Sequence, residues 1–519
     1  MKVKLFIASL IFATSAFGEI RLASVFSDNM VLQRDKPVPV WGTGTAGEKV
    51  LVEFAGQTKW GTVDSSGKWR VQLDPLNVSS KPQTLWIVDP ISEKKIKIPA
   101  VLVGDVWLCS GQSNMKLTLA KSLESQSIIE SAELPTLRLL QVPKNIQNQP
   151  ANGFNASWVA SSPETVPGFS AVGYIFGRSI LEETGIPIGL ILCAEGSTSV
   201  ECWVSNETLE TDLFAPAIAK WREVEASWDD PKVRAIYAHK SVKDDPSVKP
   251  SDARTYPGGC YNGMLHPLFP FAIKGVVWYQ GEANRLRGQQ YQSLFPAMVQ
   301  EWRTRFEQND FKFYQIQLPE IGKPAAQPGD STLAELREAQ QLAANNDPLI
   351  EMVVIIDSDQ QGQVHPKNKQ LPGERLAAIA LAKDYGHKIE CSGPVFQRLE
   401  IDGKTARLSF TQLGGGLLAG KRIAPTSLEV KPAGKELTNF TIAGADQVFH
   451  RADAKIDGDT VRVHCDAVAK PVAVRYAWAD NPKGCNFYNA AGLPTGPFRS
   501  DSWPLVSAGK VEGKVLVIR

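Results

Sequence analysis

Four short polar clusters in this sequence carry the residue types from which a hydrolytic site can be built: Gly111-Gln112-Ser113-Asn114, Glu195-Gly196-Ser197-Thr198, Gln280-Gly281-Glu282-Ala283-Asn284, and Asp357 through His365. Each follows an apolar run that reads as a buried strand, Val101 to Leu108 before the first and Ile188 to Ala194 before the second. In an open α/β sheet, ligands bind beyond the carboxyl ends of the strands, so parallel strands would bring the four clusters together. Ser113 is the sharpest candidate among them. It follows the turn-prone Cys109-Ser110-Gly111 and precedes Lys116 to Lys121, which reads as the opening of a helix. A serine at such a switch has its hydroxyl held out by the turn. The helix N-terminus offers unpaired N–H groups and a positive dipole end to a developing oxyanion. The plainer alternative is that Ser113 only caps the helix.

The elements needed to position these clusters are legible around them. From Val101 the text alternates strands and helices. Phe169 to Gly185 has apolar residues at helical spacing, with Ser170 as N-cap and Gly185 as stop. AIKGVVWYQGEAN, FKFYQIQL and IEMVVIID read as further strands, with LAELREAQQLAANN as a helix between the last two. Leu371 to Gly386 reads as another helix, with Pro372 near its start. This alternation predicts an α/β fold, a doubly wound, mainly parallel sheet with helices on both faces. A charged stretch at about 207–257 reads as a surface insertion.

The flanks have a different texture. Residues 19–100 alternate apolar and polar positions between Gly, Asp-Ser-Ser-Gly and Pro turns, as in a small β-sandwich. Its aromatics Trp41, Phe54, Trp60, Trp69 and Trp86 fit core packing better than a sugar-binding platform. Residues 396–519 return to strand texture and end in NFYNAAGLPTGPFRSDSWP, which has no periodicity. The catalytic region is thus expected at 101–395, between β-rich neighbours. Residues 1–18 join a Lys2/Lys4 start to an apolar core and small residues at Ala16 and Gly18, the pattern of a cleavable secretory signal. Export to the periplasm or the medium is the expected localisation.

Bulk properties exclude several roles. Lys plus Arg number 56 against 55 Asp plus Glu, and no basic run stands out, so neither nucleic acid nor an anionic membrane surface is an expected partner. No stretch is long and apolar enough for a membrane span. Seven cysteines without CxxC spacing and six histidines without HExxH or HxH give no metal signal, and leave room for one or two disulfides and a free thiol. The oligomeric state is not readable from the sequence.

Taken together, GQSNM after a WLCS strand, WYQGEAN, and HPKNKQ after a strand and an acidic loop resemble the sialate O-acetylesterase family, carbohydrate esterases within the SGNH (GDSL-like) hydrolases. SDNMVLQR, SPETVPGFSAVGYIFGR, YNGMLHPL, LREAQ and GLPTGPFRSDSWP extend the resemblance over nearly the whole chain after residue 18. The resemblance implies release of acetate from O-acetylated sugars through a serine acetyl-enzyme, with no metal or organic cofactor. Ser113 matches the nucleophile and His365 the general base. The oxyanion hole would combine the Ser113 and Gly196 N–H groups with a side-chain amide, Gln280 first and Asn284 second. Related enzymes deacetylate xylan and other plant polysaccharides, and a non-catalytic carbohydrate-binding protein is the rival from another class.

Two departures from the family pattern matter. The usual aspartate two or three residues before the histidine is replaced by Gln363 and Gly362. Either Asp359 or Asp357 reaches back through a bent loop, or the pair works as a Ser-His dyad; the dyad is favoured. In the second cluster, Glu195-Gly196-Ser197-Thr198 stands where the family usually has a Gly-Gly-Thr run. Glu282 is a candidate to orient His365 or Gln280, and Arg337 and Glu338 to brace the site or form a surface ion pair. A sialate substrate further calls for a cation against its carboxylate, for which Arg285 and Arg287 are the candidates.

Overall fold

The computed structural model describes residues 19–237, 247–358 and 362–511; the predicted signal segment lies outside them, as do Asp359 and part of the predicted insertion. Its longest strand, Lys95–Gly111, is 17 residues. The amino-terminal half pairs antiparallel with Ser79–Val88 and parallel with Val31–Gln33. The carboxyl-terminal half lies between Ile188–Ala194 and Gly275–Tyr279, parallel to both. The strand therefore runs straight through the expected change of texture at residues 100 and 101. It joins eleven strands in one mixed sheet. The pattern of burial explains both readings: exposure is mixed up to Ala100 and every residue from Val101 to Gly111 is buried.

The part of the sheet that carries the clusters runs in the order Val159–Ser161, Leu134–Gln141, Ile188–Ala194, Lys95–Gly111, Gly275–Tyr279, Lys312–Ile316, Ile350–Val353. All neighbours are parallel except the short Val159–Ser161 edge. Side chains alternate between two cores. Val276 and Trp278 pack with Tyr291, Leu294 and Trp302 of helix Gly288–Arg305 and Leu336 of helix Thr332–Asn346. Val277 and Tyr279 pack with Phe176 of helix Ala171–Thr184 and Leu376 of helix Gln370–Asp384. Ser170 accepts from the Gly173 N–H and Gly185 closes the same helix at φ 67°, as the sequence predicts. Helix Gly288–Arg305 is not among the elements expected from the sequence; it contains Pro296.

Antiparallel sheets flank this unit on both sides. In the amino-terminal one Phe54 and Trp69 are core residues, whereas Trp60 is 61% exposed. The insertion builds its own small core from Trp221, Val224, Trp228 and Ala253. The carboxyl-terminal region forms three antiparallel sheets. Its last, aperiodic stretch is ordered by ions rather than apolar rhythm. Arg499 pairs with Glu338 and Asp501, and the Val506 and Ser507 N–H groups donate to Glu335. Arg337 is fully buried and donates to the Leu318, Pro319, Ala479 and Asp480 carbonyls. It thus ties two regions together and is neither a surface ion pair nor a site residue. Burial draws its pKa down to about 10. All seven cysteines are unpaired, so the one or two disulfides for which the sequence leaves room are not formed. No helix among the described residues is long and apolar enough to cross a membrane.

The amino-terminal SDNMVLQR stretch meets the long strand through one buried carboxylate. Asp105 accepts from Gln33 at 2.8 Å and from two guanidinium nitrogens of Arg34 at 3.1 and 3.0 Å. Gln33 returns a bond, accepting from the Val106 N–H at 2.9 Å. Removing the carboxylate takes the buried partner from Arg34, which among the described residues keeps only exposed Asp35, and one of two acceptors from the Gln33 amide. Asp105→Ala should therefore destabilise the chain by about 3 kcal/mol, read as a lowered midpoint in urea unfolding. An unchanged midpoint would show that the junction is held by apolar packing alone.

Candidate active site

Three strands end side by side. Gly111 is paired with Ala194 on one side and Tyr279 on the other, so Gln112, Glu195 and Gln280 emerge at one level. Gly111 has φ 130°, and a Cβ there would lie 2.3 Å from the Tyr279 carbonyl oxygen; only glycine fits this turn. Gln112 is extended and serves as N-cap, and Ser113 opens a helix of a single turn, Ser113–Lys116. Ser113 is therefore not the cap. The longer helix expected after it is broken at Leu117, whose ψ of 121° ends the turn.

His365 reaches this serine from the loop after Ile350–Val353. Its Nε2 lies 2.8 Å from Ser113 Oγ. Packing around the ring, and secondly the Lys369 charge, hold the imidazole pKa below the usual histidine value. The ring is thus neutral at pH 7 and able to accept the serine proton.

Beneath the pair lies a buried polar cluster that connects them. The Asn114 amide nitrogen donates to the Val364 carbonyl at 2.9 Å and to Glu282 at 2.6 Å. Its oxygen accepts from Lys369 Nζ at 2.7 Å, and that ammonium sits 4.8 Å from the centre of the Tyr279 ring. The residue after Ser113 thus grips the residue before His365. Burial lowers the Lys369 pKa to about 7, opposed by the nearby Glu282 charge, and burial raises that of Glu282. Among the described residues Glu282 hydrogen-bonds neither His365 nor Gln280; it meets the histidine loop through Asn114 and through the Lys369 charge.

The remaining expected residues fall into place differently. Asp357 is fully engaged elsewhere: Arg375 donates to both its oxygens at 2.8 and 2.7 Å, and Arg422 and Tyr488 crowd the second. These cations hold it ionised, and it anchors the carboxyl-terminal region instead of the imidazole. Asp359 lies outside the described residues. Among the described residues no carboxylate bonds the second nitrogen of His365. Gln280 donates both amide hydrogens internally, to Thr198 O at 3.1 Å and Asn284 Oδ1 at 2.8 Å, which corrects the expectation that it faces the oxyanion. Asn284 donates to Glu201 and accepts from the Val200 N–H, so it braces the second cluster against the third. Gly196 does approach the serine: a Cβ placed on it would lie 3.6 Å from Ser113 Cβ.

Gln112 is the residue that sequence reasoning passed over. Its oxygen faces the Gly281 and Ala283 N–H groups at 3.4 Å each, and among the described residues its amide nitrogen has no acceptor. Its place beside Ser113 in GQSN is the signal that could have found it. No group of three His, Cys, Asp or Glu among the described residues is placed to hold a metal ion.

Asn114→Ala removes the link between the nucleophile's turn and the histidine loop. A displacement of either group by about 1 Å is enough to lower kcat on a chromogenic ester by about 10²-fold. A kcat within twofold of wild type would show that Val364 is held without Asn114.

Comparison with known proteins identifies the family. The family model for carbohydrate esterase, sialic acid-specific acetylesterase, matches residues 103–264 and 260–382. The human sialate O-acetylesterase is 27% identical over 520 residues, covering 92% of each chain, and the rat protein is 28% identical over 537 residues, covering 92% of this chain and 94% of its own. The crystal structure of a carbohydrate acetylesterase from Xanthomonas citri superposes with a TM-score of 0.79 at 33% identity, covering 93% of this chain and all of that one. Ser113, Gly196, Gln280 and His365 all lie in the matched segments, and on these matches the chain belongs to the sialic acid-specific acetylesterase family of carbohydrate esterases.

Proposed function

We propose that the chain is a carbohydrate O-acetylesterase of the sialate O-acetylesterase type that works through a serine acetyl-enzyme on an SGNH-like, doubly wound core. The observation that carries the reading is the 2.8 Å contact between His365 Nε2 and Ser113 Oγ at the ends of three parallel strands. Ser113 Oγ attacks the acetyl carbonyl as His365 takes its proton, and the tetrahedral intermediate carries its charge on the former carbonyl oxygen. The Ser113 and Gly196 N–H groups donate to no other described residue, and they form the oxyanion hole with the Gln112 amide nitrogen. Each such donor lowers the barrier by about 3 kcal/mol. As the intermediate collapses, the acyl C–O bond to the sugar breaks and His365 gives its proton to the departing sugar oxygen; the same nitrogen then activates the water that releases acetate.

The base works as part of a dyad, its loop fixed by the Asn114 bond to Val364. The short leader-like stretch at residues 1–18 supports export, and N-terminal sequencing of the mature protein from cell fractions tests it.

A fluorophosphonate probe should label the wild-type chain and not Ser113→Ala, with acetate release lost in parallel. Asp359→Ala should keep turnover within about threefold, whereas a loss near 10⁴-fold would make Asp359 the acid of a triad. A folded wild type that neither labels nor releases acetate would remove the esterase reading.

The depressed His365 pKa also fixes the sign of the pH profile. The base must be neutral, and its neutral form persists below the ordinary histidine value. The acid limb of kcat/KM should therefore have its midpoint below about 6.5. A midpoint above that value would mean that the imidazolium is stabilised in the free enzyme.

A further inference from the structure

Glu195 is the first residue beyond the strand Ile188–Ala194, and its side chain is only 3% exposed. Three cations from three separate parts of the chain converge on its carboxylate. Lys116 Nζ lies 2.5 Å from Oε2, while Arg254 Nε and Lys144 Nζ lie 3.5 and 3.8 Å from Oε1. None of the three forms an ion pair with any other carboxylate among the described residues. Among the described residues the buried Arg254 Nε has no hydrogen-bond partner. One negative charge thus holds three positive ones, and the three side chains remain 39%, 32% and 38% exposed.

This surplus stands beside the nucleophile. Glu195 adjoins Gly196, which lies against Ser113 Cβ, and Lys116 is three residues beyond Ser113 on the same face of its turn. A structural carboxylate needs one cation. Two more, held within a few ångströms of each other, repel, and Lys144 has its pKa lowered by burial and by Arg254 and Lys116. An incoming anion would relieve that repulsion, and the outward exposure leaves it room to enter. By contrast Arg287 is buried against Glu201 and cannot serve the same end.

We propose that Lys116, Lys144 and Arg254 form a subsite for the carboxylate of an acidic O-acetylated sugar, a sialic or uronic acid, while Ser113 attacks its ester. This rests on the acetylesterase reading. It gives the insertion, which carries Arg254, a part in substrate choice.

The test compares acetate release from an O-acetylated sialic acid, an O-acetylated uronic acid and a neutral acetylated xylo-oligosaccharide in wild type, Lys144→Gln, Arg254→Gln and the double variant. The ratio of kcat/KM on the acidic sugars to that on the neutral one should fall about tenfold per cation removed, mainly through KM, and should also fall with added salt in the wild type. A ratio unchanged in the double variant, or a wild type that prefers the neutral sugar at low salt, would overturn the subsite. Calorimetric binding to Ser113→Ala separates the two readings. Free sialic acid should bind and its methyl ester should not. That result with no turnover by wild type on any substrate would leave the subsite standing and remove the esterase; equal binding of acid and ester would remove the subsite.

Discussion

Gly111, Ala194 and Tyr279 are neighbours at the ends of three adjacent parallel strands, and the ladder continues one step past them. The Gln112 N–H donates to Tyr279 O at 2.9 Å and the Glu195 N–H to Gly111 O at 3.1 Å. This registration places Ser113, Gly196 and Gln280 within reach of one another before any side chain contributes. It depends on a glycine at 111, because any Cβ would strike the Tyr279 carbonyl. It depends also on strands buried on both faces, where a slip in register would drive polar residues into one of the two cores. The site is thus a property of the sheet, and the loops supply only the final atoms.

Beneath the site the protein keeps polar groups where apolar ones would pack more cheaply. Asn114, Lys369 and Glu282 are buried, and among the described residues Glu282 Oε2 and the Tyr279 hydroxyl have no hydrogen-bond partner. Such a cluster is a poor source of stability. Its geometry does something else: one carboxamide bonds the backbone before His365 and is itself held by a lysine on the following helix approach. A triad acid would hold a base through the imidazole ring; Asn114 instead bonds the main chain that carries the His365 ring.

Much of this was legible in the sequence, and the reasons differ by residue. The four strand-end clusters and the helix from Ser170 to Gly185 could be read because periodicity and capping are local. Helix Gly288–Arg305 escaped because Pro296 interrupts a pattern whose buried members, Tyr291, Leu294, Phe295, Met298 and Trp302, are nonetheless at helical spacing. The continuity of Lys95–Gly111 escaped because a change of burial midway looks like a change of element. The engagement of Asp357 with Arg375, and of Gln280 with Thr198 and Asn284, could not be read at all, since periodicity carries no sign of which side chains will bond to one another. The aperiodic end of the chain belongs to the same class, being held by Arg499, Asp501 and Glu335.

The electrostatics of the site pull in two directions, and the placement of the charges resolves the conflict. In the proposed serine mechanism a positive charge grows on His365 and a negative one on the acetyl oxygen. Lys369 lies on the histidine side, where its charge opposes the imidazolium; at an effective dielectric of about 20, a full charge 4 Å away would matter by about 4 kcal/mol. Burial tempers this by lowering the Lys369 pKa to about 7, which weakens the charge it presents to the ring. Its interaction with Asn114 survives either state, because a neutral amine still donates to Oδ1. The cations around Glu195 lie on the other side, next to Gly196, where a positive field favours the oxyanion. Under that mechanism a lysine of lowered pKa near the histidine and a surplus of cations beside Gly196 divide the two demands.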